Sequence, residues 1–203
     1  MWLGCVSASP IGQGEQPQSN WTSPDTPCAK FDDLRKPLMG TIGVKIDAAE
    51  PWADGFRRAI RFWNTVLIAD FHEETDLKAC SVRVIHGGAA ILSSSNVAAR
   101  SQFTDRPKFR GKIAVSPTVA REMSSAEVYA AAVHELGHIL GLKHNASSRS
   151  VMYFLDLDGT EVLDDEDILE LGRRHQLRVE IAGKHFLAID QRSVEICLQY
   201  SLM

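Results

Sequence analysis

The chain has 203 residues, 44% of them hydrophobic and 24% charged, which suits one domain large enough to bury a core. Its net charge of −4 comes without basic clustering, so nucleic acid has no electrostatic footprint here. No apolar run approaches the roughly eighteen residues of a membrane span.

Residues 1–38 hold five of the eight prolines, interspersed with Ser, Gln and Gly and without apolar periodicity, so they read as a flexible leader. The opening "MWLGC" ends like the cleavage site of a lipoprotein signal, which would place a lipid anchor on Cys5. The charged and apolar regions of such a signal are missing, and a chance match is the open alternative. On this basis the expected location is secreted or cell-envelope associated. The four cysteines (Cys5, Cys28, Cys80, Cys197) form no CxxC pair, which argues against a cysteine zinc site. They read equally as one disulfide, Cys80 with Cys28 or Cys197, or as free buried thiols.

The folded domain is expected over residues 39–177. "GTIGVKID" (40–47) alternates and is β-branched, so it predicts a strand. Pro51 suits a first helical turn, and Trp52, Phe56, Ile60, Trp63 and Leu67 then recur on one helical face. "CSVRVIHGG" (80–88) predicts a second strand ending in a glycine turn. Residues 89–110 read as loop, and "KIAVSP" (112–117) as a short strand at the sheet edge, stopped by Pro117. Ser124 followed by Glu127 is a capping box and starts the clearest helix, with Gly141 placed for a left-handed C-terminal cap. "LDDEDILELGRRHQL" (163–177) predicts a helix with acids in front, bases behind, and Ile168 and Leu171 inward. Residues 178–203 read as a C-terminal extension containing a β-hairpin.

Three of the seven histidines fall within "HELGHILGLKH" (134–144). His134 and His138 are four apart on the predicted helix, so both rings leave the same face and can share one metal ion. Glu135 lies beside them, placed to take a proton from metal-bound water rather than to ligate. A third ligand in helical register would lie too far along the axis. Gly141 lets the chain turn back, and His144 can then reach the ion from the other side. Three neutral imidazoles leave one tetrahedral position open, the layout of a catalytic Zn2+ site.

This run matches HExxHxxGxxH and so resembles the zinc signature of the metzincin metallopeptidases. "SVMY" looks like their Met-turn, with Met152 as the apolar floor beneath the metal. "LGLKH", the His-to-Met spacing, Tyr153 after the Met and "DDEDILEL" are most similar to a minimal, bacterial-type matrixin. So is "FRRAIRFWNTV" upstream. The resemblance implies an α+β zincin-like catalytic domain. Its parts would be a small mixed β-sheet, a long backing helix, an active-site helix and a C-terminal helix. It implies zinc-dependent endopeptidase activity on protein or peptide substrates, with zinc on His134, His138 and His144 and Glu135 as the catalytic base. It also implies that a strand above the cleft, here read as "KIAVSP", pairs with extended substrate, and that the loop within 154–167 shapes a specificity pocket.

The chain departs from the family pattern in three places. Asn145 follows the third His where Ser is usual, no PRCGxPD thiol switch is present, and the segment carrying structural zinc and calcium is missing. The acidic run 154–167 does not have EF-hand spacing, so Ca2+ has no motif behind it. Tyr153 reads as a packing residue of the turn. His72, His86, His175 and His185 read as ordinary surface or satisfied residues. "NAS" (145–147) fits a glycosylation sequon, an unsuitable one so close to the metal ligands. The alternative to an enzyme is an inactive zinc-containing binding module of the same fold. Oligomeric state leaves no mark on the sequence.

Overall fold

The computed structural model describes residues 41–76, 82–92, 95–103, 111–153, 162–173, 175–178, 180–181 and 184–185. All four cysteines, the leader and the 154–161 part of the acidic loop lie outside these residues.

Five strands make one mixed sheet in the order β2-β1-β3-β5-β4. They are β1 (Thr41–Asp47), β2 (Asp70–Glu73), β3 (Val82–His86), β4 (Ala99–Phe103) and β5 (Gly111–Val115). β2, β1, β3 and β5 run parallel, while β4 is antiparallel to β5 with Ser101 opposite Ile113. Ile42 and Val44 of β1, Val82 and Val84 of β3, and Ile113 of β5 are all buried. In β1 and β3 these residues are two apart, the strand period by which a single face reaches the core.

Helix α1 (Trp52–Val66) follows Pro51 and buries Trp52, Phe56, Ile60, Trp63 and Val66, the aromatic face expected from the spacing. Leu67, the last of the series, is the cap residue and is buried too. The two indoles do more than fill space. Trp52 Nε1 donates to the Ser116 carbonyl (2.9 Å) and Trp63 Nε1 to the Val133 carbonyl (3.2 Å). A buried indole N–H would otherwise cost free energy. Where α1 crosses α3 (Ser125–Ile139), Gly55 lets the backbones approach. A Cβ there would lie 2.9 Å from Val128 Cγ1 and 3.3 Å from the Val128 carbonyl oxygen.

Helix α3 begins at the Ser124–Glu127 capping box, with both reciprocal hydrogen bonds made. Helix α4 (Asp165–Gly172) begins at a second box, Asp164 with Asp167, and buries Ile168 and Leu171. It ends sooner than the predicted 163–177. The His175 N–H bonds back to the Leu171 carbonyl, then the chain lies along the end of α1, where Arg178 N–H donates to Val66 O (2.8 Å). β6 (Glu180–Ile181) and β7 (Lys184–His185) form a short antiparallel pair.

Two expectations fail in the upper sheet. Residues 89–110 are not all loop: they contain a one-turn α2 (Ala89–Leu92) and the strand β4. "KIAVSP" is therefore not the sheet edge, because β4 covers β5, and β4 is the outer strand. Arg100, Ser101 and Gln102 gave β4 no apolar alternation to be recognised by. β2, four residues long, was also unforeseen; Asn64 accepts from the Phe71 N–H and donates to its carbonyl, both at 2.7 Å. Among the described residues, no helix is long and apolar enough to cross a membrane.

Candidate metal centre

The end of α3 explains how three histidines converge. Gly141 takes a φ of 99°, a left-handed conformation that L side chains resist. The Leu142 N–H then bonds to the Gly137 carbonyl (2.9 Å) and the Gly141 N–H to the His138 carbonyl (3.0 Å). Those are the two bonds of a Schellman cap. The cap also orients a ring, since His138 Nδ1 donates to the carbonyl of Leu142 (2.9 Å). His134 Nδ1 donates to the carbonyl of Val151 (2.7 Å) in the turn before Met152. With Nδ1–H committed to a carbonyl, each ring presents at Nε2 a lone pair rather than a proton, the form that ligates a metal.

The chain then returns. His144 Nε2 stands 3.2 Å from His138 Nε2, and the ligand atoms of His134, His138 and His144 all lie within 4.8 Å of one another. Two nitrogens held at about 2.05 Å by a tetrahedral zinc would be about 3.3 Å apart, close to that separation. His134 is buried, and its pKa falls well below 6.5, chiefly by desolvation and then by the neighbouring His138. It is thereby kept neutral, the form that ligates. An all-imidazole donor set, two of its three tautomers preset by main-chain carbonyls, fits zinc.

Glu135 is also buried, with 7% of its surface exposed. Burial pushes its carboxyl up to about 7 in the protein alone, against the lowering effect of Ser101 hydrogen bonds and the Arg100 charge. Ser101 reaches across from β4: its Oγ lies 2.5 Å from Glu135 Oε2 and 2.9 Å from the Glu135 carbonyl oxygen. Arg100, likewise buried, donates from Nη1 to the Ile91 carbonyl (2.9 Å).

Met152 is fully buried beneath α3. A Cβ on Gly137 would lie 2.6 Å from its sulfur, so this glycine makes room for the Met. The turn is fixed by main-chain bonds from Asn145 N–H to Met152 O and from Tyr153 N–H to Ser150 O, both 2.9 Å. A buried polar network then ties it to α4. Asn145 Nδ2 donates to both Asp164 oxygens (2.9 and 3.0 Å) and to Asp167 Oδ1 (3.1 Å), while Ser150 Oγ donates to Asp167 Oδ2 (2.6 Å). Burial raises the Asp167 pKa, opposed by those same donors. Asn145, 6% exposed and with its amide nitrogen so engaged, is unsuited to carry a glycan.

The structure thus brings His134, His138 and His144 together, sets Glu135 alongside, and places Gly141 and Met152 where they shape the turns. Tyr153, half-buried, pairs with Asn145 across an isolated bridge. Of the other histidines, His175 is buried and donates from Nε2 to the Leu140 carbonyl (2.7 Å), capping α3 from below. His86 Nε2 accepts from the Ala49 N–H (3.1 Å), and His72 sits 3.4 Å from Glu74. Sequence reasoning missed Ser101 and the Leu142 and Val151 carbonyls, because a lone serine and main-chain oxygens carry no motif. A family profile described as Matrixin matches residues 36–172. No curated protein matches the chain.

Proposed function

Because the chain belongs to the matrixin family, we propose that it is a zinc-dependent endopeptidase whose working residues are His134, His138, His144 and Glu135. The observation that carries this reading is the convergence of three histidines, two with tautomers preset by main-chain carbonyls, next to a buried carboxyl. A zinc ion held by them supplies a Lewis acid, which lowers the pKa of water to about 7 and polarises a carbonyl oxygen. Glu135 takes the proton from the attacking water and passes it to the leaving amine. Met152 packs below as the family's Met-turn, and Tyr153 supports the turn. The outer edge of β4 offers main-chain groups to an extended peptide, which would bind as a further strand. Protein or peptide is accordingly the substrate class.

The test is cleavage of an unfolded protein by wild type and Glu135→Ala, with zinc measured in both. Wild type should cut, and the variant should lose about 10²–10⁴ in kcat while still holding zinc. Zinc-loaded wild type that cuts nothing would instead support a binding module of the same fold.

A further inference from the structure

Ser101 stands on the outer strand of the sheet, yet its hydroxyl is spent on α3. Among the described residues, no strand pairs with the edge of β4 that faces away from β5. Its Oγ lies between two acceptors of a single residue, 2.5 Å from the Glu135 side chain and 2.9 Å from the Glu135 main chain. A serine hydroxyl has one proton to give and two lone pairs to receive with. It can therefore donate to Oε2 when the carboxyl is ionised. When Oε1 takes up a proton, Oε2 remains an acceptor and the same donation persists. Either way Oε2 is held and Oε1 is left as the oxygen without this tether.

We propose that Ser101 is a positioning residue for the peptidase reaction, holding the Glu135 carboxyl in one orientation through both halves of its proton transfer. The inference rests on the peptidase function above. A general base works only within hydrogen-bond reach of its proton, and a Glu side chain has three torsions to lose before it stays there. The main chain of Ser101 also hydrogen-bonds the Glu135 carboxyl, and that bond survives replacement of the side chain, so the hydroxyl is the part that a Ser101 substitution tests. Arg100, the adjacent residue on β4, gives its Nη1 to the Ile91 carbonyl and acts on Glu135 through charge. The tether also joins the base to the strand that offers its edge to substrate, so the carboxyl and the bound peptide share one frame of reference.

The test compares wild type, Ser101→Ala and Ser101→Thr in the zinc-loaded full chain. It measures kcat and KM separately on a peptide substrate, together with zinc content and thermal midpoint. Thr keeps the hydroxyl and suits a strand. The expected result is a fall in kcat of about tenfold or more for Ser101→Ala with KM and zinc content unchanged, since small misplacements of a reacting group are costly. Most of that loss should return in Ser101→Thr. Active wild type with Ser101→Ala within twofold of its kcat overturns this inference alone. Loss of zinc or of the folded state in both variants makes Ser101 structural and overturns it too. A zinc-loaded wild type that cleaves nothing removes the peptidase reading and this inference with it.

Discussion

Gly141 shows how much a single backbone angle decides. At a φ of 99°, a Cβ costs about 1–2 kcal/mol. The same turn presents the Leu142 carbonyl that holds His138. Gly141→Ala should therefore lose about 1–2 kcal/mol in denaturant unfolding and also weaken zinc binding in competition with a chelator. A variant with lowered stability and unchanged zinc affinity would show that the cap and the ligand are not coupled. Asn145 is the second test at this scale. Its side chain donates to three carboxylate oxygens in a buried place, so Asn145→Ala leaves Asp164 and Asp167 short of partners and should cost about 1–3 kcal/mol. The sequence made the ligands legible at this scale because His, Glu and Gly at fixed offsets have few other uses. It could not make the partners legible, because Ser101 and Asn145 meet theirs only after distant segments have packed.

The elements divide by how local their causes are. The starts of α3 and α4 are written in capping boxes only four residues long, and α1 in its apolar period, so both kinds of signal survive without tertiary context. β4 has no such signal. Arg100, Ser101 and Gln102 break any apolar alternation, and the segment becomes a strand by pairing antiparallel with β5. For that reason the outer strand lies one strand beyond the expected "KIAVSP". The crossing of α1 and α3 is a further case, since a lone Gly55 in a helix reads as a small defect until Val128 is found against it. Gly55→Ala gains roughly 1 kcal/mol of helix propensity but presses on Val128, including its main-chain oxygen, so the net should be a loss of about 1–2 kcal/mol. Thermal and denaturant unfolding of the variant measure it, and a gain in stability would mean that the helices separate freely.

For the molecule as a whole, the centre makes stability depend on pH. The Glu135 carboxyl sits at about 7 in the protein alone, above the ordinary 4.5. Its contribution to stability is complete below about 4.5 and is lost as pH rises through about 7, because the folded state holds a proton that the unfolded chain has released. His134 acts oppositely. Its lowered pKa gives stability that is present above about 6.5 and lost as pH falls below it, because only the unfolded state takes up the proton. The two slopes oppose each other in the chelated protein. Chelated wild type should therefore lose stability relative to chelated Glu135→Gln as pH rises from 5 to 8, read from denaturant midpoints. A constant difference across that range would remove the buried-carboxyl description. Zinc then adds stability only to the folded state, in proportion to the logarithm of its concentration over Kd.

The most direct measurement is a zinc titration of the chelated chain, following bound metal and peptide cleavage in the same samples. Activity should rise with zinc and level off at about one ion per chain, and His144→Ala should need far more zinc to reach any activity. Cleavage that persists in chelator, or that is indifferent to bound zinc, would contradict the account at its centre.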